Sequence, residues 1–510
     1  MSLLAGLYRP SLALLTDLYE LTMACGYWQS GAGDQEAVFY LSFRHNPFGG
    51  GFSVACGLEH AAEYLEGLAF LPEDLDFLAG LAGNDGRPLF PREFLDALGA
   101  MTFECDVDAV PEGTVVFPQE PLLRVRGPLI QAQIVESTLL NLVNFQTLIA
   151  TKAARVCLAA GGEPVLEFGL RRAQGIDGAL AASRAAYIGG VAGTSNVLAG
   201  RLFGIPVKGT HAHSWVMAFD SELEAFAAYA EAMPNNCVFL VDTYNTLDGV
   251  RHAVEVGRRL EEAGHRLVGI RLDSGDLAYL SNQARRVLDA AGFPAAEILA
   301  SNDLDERVIE SLKQQGAKIG VWGVGTRLVT GHDDPALGGV YKLAALRRPG
   351  EPWRYPVKLS EQTIKISTPG LLAVRRFHSG AEFLGDLIYD EELGVESPPV
   401  LVDPADMTRR KTMAPDTPAT DLLQPVFRGG KRAGPEPLSI AGARQRVEEQ
   451  LAGFHPGIKR FVYPHLYPVG LERRLHERKT ELVLAARGLA TAPTAPTAPV
   501  APVAPVEELA

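Results

Sequence analysis

Cysteine is scarce in this 510-residue chain, and the five present, Cys25, Cys56, Cys105, Cys157 and Cys237, lie far apart with no C-x-x-C pair. That excludes a zinc knuckle and a disulfide framework and fits a reducing cytoplasm. Positive charge is in deficit as well. With 47 Lys and Arg against 61 Asp and Glu the formal charge is -14, which disfavours nucleic-acid binding, since that normally needs a basic stripe, and leaves small, locally bound anions as expected charged ligands. No segment approaches the roughly 20 uncharged apolar residues of a membrane span. The apolar N-terminus could imitate a signal peptide, but it lacks a basic n-region and Asp17 and Glu20 interrupt it, so none is expected. What remains is a globular composition, 47% hydrophobic and 21% charged, in a chain long enough for two or three structural units.

Residues 1–160 read as an α+β unit. LLTDLYELTMACGYW has helical spacing at Leu14, Leu18, Leu21 and Met23, with Thr16 or Asp17 to cap it. Strands are expected at 38–43, 102–106, 114–117 and 121–126, then one long helix from Ile130 to Ala159. From Pro164 the rhythm becomes strand then helix, with strands at 164–169, near Ala192-Gly193, and at 205–209, 237–242, 267–273, 297–301, 318–325 and 338–344. Ser221 with Glu224 forms a capping box, and Gly264 and Gly316 end helices. Repeated βα units predict a parallel sheet closed, or nearly closed, into an α/β barrel over 161–348. Residues 349–488 are expected to pack back on the N-terminal unit, making that α+β domain discontinuous. The Pro/Ala/Thr tail, 489–510, cannot bury enough apolar surface to fold and is expected to be disordered.

In parallel βα folds ligands bind at the carboxyl ends of strands. Those positions here carry Phe168 to Arg172, Gly189 to Thr194, Thr210 to Ser214, Asp242-Thr243-Tyr244, Arg271 with Asp273-Ser274-Gly275-Asp276, Ser301-Asn302-Asp303, and Gly323-Val324-Gly325-Thr326-Arg327. Glycine-rich ends beside helix N-termini favour phosphate, and Arg171, Arg271 and Arg327 add charge. Each element also has a plainer reading. A lone D-S-G caps helices, a lone histidine such as His213 is more often structural, Phe168 reads as core, and Tyr19 reads as the edge of an amphipathic helix. The conjunction at one end of consecutive strands favours a site. His211-x-His213 with Asp242 and Asp273 leaves a metal-dependent barrel hydrolase as the rival reading.

LLTDLYELTMACGYW, EFGLRRAQG, GTHAHS, VDTYNTLDGV, GIRLDSGD, SND and GVGTRLVTG followed by GGVYKL resemble, in this order, the nicotinate phosphoribosyltransferase family, to about residue 485. The resemblance implies a type II phosphoribosyltransferase-like barrel and a head-to-tail homodimer. It implies an enzyme of NAD salvage that joins nicotinate to 5-phosphoribosyl 1-pyrophosphate, with ATP hydrolysis coupled to turnover. Carried onto this sequence, Phe168 and the Tyr19 of a second subunit would sandwich the pyridine ring, with Thr210, Gly189 and Gly190 by its carboxylate. Arg171, Arg271 and Asp273 would hold phosphoribosyl pyrophosphate, Ser301 and Asn302 the ribose, and Gly323, Gly325 and Thr326 the 5'-phosphate. His213 would be the phosphorylated residue. A related family acting on nicotinamide carries an aspartate in place of Gly189, so nicotinate is the expected substrate. Pyrophosphate departure calls for Mg2+, with Asp273 as the carboxylate ligand, and Asp242 is expected to orient His213. His211 is left without a role.

Overall fold

The computed structural model describes residues 11–436 and 438–489; of the expected tail, 490–510 lie outside them. The N-terminal strands are β1 (Glu36–Phe43), β2 (Ser53–Val54), β3 (Asp106–Ala109), β4 (Val115–Val116) and β5 (Leu123–Pro128). The first helix among the described residues runs Leu18–Gln29, with Asp17 at its N-cap accepting a hydrogen bond from the Ser137 hydroxyl rather than capping an amide. The expected long helix is two, Leu129–Ile134 and Glu136–Ala160. The second ends at Gly161, whose φ of 64° is a left-handed cap that glycine adopts without strain.

The βα segment supplies β6 (Val165–Glu167), β7 (Gly193–Thr194), β8 (Val238–Leu240), β9 (Gly269–Leu272), β10 (Glu297–Ala300) and β11 (Val321–Val324), all parallel, in the order β7-β6-β11-β10-β9-β8. Their sides pack Ile270, Leu272, Ile298, Trp322 and Val324 into one core with the flanking helices. The expected strand 205–209 shrinks to a single parallel bridge between Thr194 and Val207. No backbone hydrogen bond then joins the Val207 segment to β8 among the described residues.

The expected strand 338–344 exists as β12 (Gly339–Arg347), but it is not part of the parallel sheet. It pairs antiparallel with β1 across all eight residues of that strand. Its pattern, with Tyr341, Ala344 and Leu346 buried beside β1, serves the N-terminal core. The C-terminal strands are β13 (Leu372–Ser379), β14 (Glu382–Asp390), β15 (Val400–Val402), β16 (Arg410–Thr412), β17 (Ala419–Asp421), β18 (Gln424–Arg428), β19 (Lys431–Arg432) and β20 (Val469–Glu472). Two of them return to the first sheet, whose order is β12-β1-β5-β3-β18-β19, and the rest form β16-β15-β20-β14-β13-β17. Arg376 on β13 fastens this last sheet. It is fully buried, bonds Asp386 and the Val115 carbonyl, and lies against Phe117, Phe383, Phe454 and Tyr467. No helix among the described residues is long and apolar enough to cross a membrane.

Candidate active site

The carboxyl ends of β6, β9, β10 and the segment after Val207 meet at Arg271. Its Nε donates to Ser301 Oγ at 2.8 Å, one terminal nitrogen to Thr210 Oγ1 at 3.1 Å, and the other to Asp273 Oδ1 at 2.8 Å. The guanidinium carbon lies 5.5 Å from the centre of the Phe168 ring. A planar fork that spends three donors on three strand ends is held rigid. Ser301 in turn donates to Asp273 Oδ1. Burial pushes the Asp273 carboxyl up, but the Ser301 hydroxyl and the Arg271 and His213 charges outweigh it and hold the group below the usual carboxylate range. Asp273 is therefore ionised at neutral pH.

Phe168 continues β6 by donating its N–H to the Val324 carbonyl at 2.8 Å. Its ring lies on Gly323: a Cβ there would stand 2.8 Å from Cδ2 and Cε2 of Phe168. Gly323 thus makes room for the aromatic ring. Gly325 lies under the Phe168 carbonyl, and Thr326 opens the short helix Thr326–Val329. Asn302 and Asp303 have φ of 91° and 41°, left-handed values that non-glycine residues hold only under local constraint. Both are exposed at the end of β10.

His213 opens the helix His213–Met217 and is half-exposed. Its Nδ1 faces Thr243 Oγ1 at 3.2 Å and its Nε2 faces Asp273 Oδ2 at 3.7 Å. Asp242, expected to orient it, does otherwise. Asp242 Oδ2 accepts the Asp273 N–H at 2.9 Å and the Ser274 hydroxyl at 2.6 Å, so it shapes the D-S-G turn, and its Oδ1 is buried without a partner. The reason is position: Asp242 extends toward β9, whereas Thr243, one residue on, faces the segment that carries His213.

Gly189 and Gly190 are elsewhere. The helix Gly175–Ile188 runs antiparallel to the strands and delivers them before β7, at the amino end. A Cβ on Gly189 would stand 2.4 Å from the Ala150 carbonyl oxygen, and one on Gly190 3.2 Å from Cys157 Sγ, both on the helix Glu136–Ala160. They are glycines for helix packing, and the ends at the site are Thr194 and Ser195. Arg327 is paired with Asp305 rather than facing the site, while Arg171 is exposed on the turn Leu170–Arg172. Tyr19 is also exposed, and its hydroxyl donates to Glu136. His211 is buried, and its Nε2 accepts the Leu240 N–H at 3.2 Å. That engagement removes the His211/His213 metal pair, and no cluster of three or more His, Cys, Asp or Glu suited to a metal occurs among the described residues.

Sequence reasoning passed over Glu167. Fully buried, it accepts from the Gly169 N–H, the Ser183 hydroxyl and the Thr194 hydroxyl, fixing the turn that aims Phe168. An acid inside the apolar run of PVLEFG was the available signal.

Three family models match the chain: the nicotinate phosphoribosyltransferase N-terminal domain over 14–144, the family itself over 164–348, and its C-terminal domain over 373–479. The nicotinate phosphoribosyltransferase of Bacillus subtilis is 43% identical, over 94% of this chain and 98% of its own. That of Mus musculus is 36% identical over 93% and 97%. The crystal structure of human nicotinic acid phosphoribosyltransferase superposes with a TM-score of 0.79 at 34% identity, covering 92% of this chain and 99% of that one. Nicotinate-nucleotide pyrophosphorylase from Pyrococcus furiosus, at 21% identity, shares the fold with a TM-score of 0.65 over 86% of this chain and 95% of its own.

Proposed function

The chain belongs to the nicotinate phosphoribosyltransferase family, and from that premise we propose how its strand ends carry the reaction. The enzyme transfers the phosphoribosyl group of 5-phosphoribosyl 1-pyrophosphate to nicotinate, a step of NAD biosynthesis. The pyridine nitrogen uses its own lone pair on C1', the C1'–O bond breaks, and the electron pair leaves with pyrophosphate. No general base is required, so the protein's work is alignment and charge stabilisation. The observation that carries the residue reading is Arg271, which presents one cation to Thr210, Ser301, Asp273 and the Phe168 face together.

In this reading Phe168 stacks the pyridine ring and Thr210 lies by its carboxylate. Arg271, Asp273 and Arg171 hold the phosphoribosyl pyrophosphate, Ser301 and Asn302 the ribose, and Gly325 and Thr326 the 5'-phosphate. Mg2+ suits the donor set: Asp242 Oδ1 has no partner, Asp273 Oδ2 has only the distant imidazole, and one or two carboxylates plus substrate phosphates are what this ion takes. When bound it would neutralise charge on the leaving pyrophosphate. His213 is the residue phosphorylated by ATP; with Nδ1 held by Thr243, the accepting nitrogen is Nε2. The subunit is one half of a homodimer in which Tyr19 reaches the partner's pyridine ring. Supporting this are two exposed apolar patches: Leu15, Leu18, Tyr19 and Met23 around the first helix, and Ile176, Val197, Leu198 and Leu202 beside the parallel sheet. Five free thiols fit the cytoplasm, and no nucleic acid or membrane partner is expected.

The test incubates the purified protein with nicotinate, phosphoribosyl pyrophosphate and Mg2+, with and without ATP, and follows mononucleotide and acid-labile protein phosphate. The wild type forms both. His213→Ala loses the protein phosphate and the ATP stimulation but retains slow transfer. Turnover of nicotinamide alone would sink the substrate reading, and ATP stimulation surviving in His213→Ala would sink the phosphohistidine.

A further inference from the structure

The parallel sheet has an unpaired side at β8. Successive amides of a strand point to opposite sides, and here the Val241 N–H donates to the Arg271 carbonyl of β9, which turns the Leu240 N–H toward the empty side. No backbone of the Val207 segment takes that amide. The His211 ring takes it, Nε2 to N at 3.2 Å, from within a cage of Phe226, Tyr229 and Phe239. An Nε2 that accepts from an N–H is unprotonated, so the ring's proton resides on Nδ1, which faces the Ala212 carbonyl at 3.4 Å. Burial, together with the Arg271 and His213 charges, favours this neutral form.

The same residue is joined to the reacting groups from its backbone side. Its carbonyl accepts the Thr210 hydroxyl at 3.1 Å, and that hydroxyl oxygen accepts from Arg271. Two residues on, His213 meets Thr243, three residues beyond Leu240. We propose that His211 is a positioning residue: its imidazole replaces the missing strand-to-strand hydrogen bond between the Val207 segment and β8, and so sets Thr210 and His213 against Arg271 and Thr243. Nothing else links the two segments through a backbone amide among the described residues.

This role rests on the strand-end cluster being the active site, so one readout needs no activity. Amide exchange at Leu240 is measured in the full-length wild type, His211→Leu and His211→Gln, beside steady-state mononucleotide formation. Leucine fills the aromatic cage but accepts nothing, whereas a glutamine amide oxygen reaches the position of Nε2. Exchange at Leu240 should rise roughly tenfold or more in His211→Leu and stay near wild type in His211→Gln. With Thr210 and His213 displaced, kcat should fall roughly 10- to 100-fold in His211→Leu with little change in KM for nicotinate, and recover in His211→Gln. Equal exchange in all three proteins, or equal impairment of both variants, would reduce His211 to an apolar filler and overturn the proposal. So would faster exchange with unchanged kcat, since the bond would then position nothing. A wild type that forms no mononucleotide would instead condemn the site reading and leave the exchange result standing.

Discussion

Gly323→Ala isolates the aromatic platform. The backbone at Gly323 is not in the left-handed region, so alanine meets no φ penalty and the effect is purely steric. The new Cβ would stand 2.8 Å from two carbons of Phe168 and 3.3 Å from the Cβ of Ser301. Carbon pairs rest at about 3.5–4.0 Å, so the ring must withdraw by about 0.7 Å or more. Retreat is constrained, because Phe168 is anchored at its amide by Val324 and has the Arg271 guanidinium 5.5 Å from its centroid. Overpacking of this kind costs about 1–3 kcal/mol, equivalent to about 5- to 150-fold if it is expressed in ring binding. The expected result is a fall of that order in kcat/KM for nicotinate, chiefly through KM, with a smaller change for phosphoribosyl pyrophosphate. Initial rates of mononucleotide formation measure the first, and calorimetry shows how much of the cost falls on stability instead. Pairing the change with Phe168→Leu removes the clashing ring carbons, so the double variant should be less impaired than the two single losses combined. Wild-type kinetics and midpoint in Gly323→Ala, or strict additivity in the double variant, would refute the idea that this glycine exists to seat the ring.

Arg376→Met should lower stability by about 3–5 kcal/mol, because it leaves the fully buried Asp386 carboxylate with no cation, beside the Tyr467 hydroxyl and the Glu120 carboxyl. Denaturant unfolding should show it, while activity per folded molecule at low temperature is retained; an unmoved midpoint would mean the aromatic ring of contacts alone fastens that sheet. Asp273 has a folded-state pKa below the usual value of about 3.9. Its ionic contacts are therefore complete at every pH above that value and are lost only as pH falls through the lower folded one. Accordingly Asp273→Asn should depress kcat/KM evenly across pH 5–9; a wild-type acid limb centred near pH 5–6 that vanishes in the variant would contradict this.

The sequence reading located the strands well where punctuation and pattern coincided, and poorly where one residue class served two folds. β8 to β11 fall inside the runs 237–242, 267–273, 297–301 and 318–325, since each is a short apolar run between a helix stop and a polar turn. Residues 338–344 have the same look, yet β12 pairs with β1, about three hundred positions earlier. Periodicity describes which faces are buried and carries nothing about the partner that buries them. The run 205–209 failed for the converse reason. Its apolar residues occupy one bridge at Val207, and the bond that a longer strand would have supplied is made by a histidine side chain instead.

The same distinction governs the site. The grouping of Phe168, Arg271, Asp273 and Ser301 was legible because each directly follows, or lies in, a strand whose direction was readable, and direction alone fixes which end faces the ligand; Thr210 joins them from a segment that is not a strand. Gly189 and Gly190 were expected at that end from the strand read near Ala192-Gly193 and from the family resemblance, but they precede β7 and face Ala150 and Cys157. A glycine marks close approach of something, and only the order of strand and helix says whether that something is a ligand or another helix. Applied to Gly323, the same rule finds the Phe168 ring as the group that its missing side chain admits. Applied to the preference for nicotinate, it moves the question from Gly189 to the residues that do emerge at the carboxyl end of β7, Thr194 and Ser195, where the neighbouring carboxylate, Glu167, is already saturated by three donors.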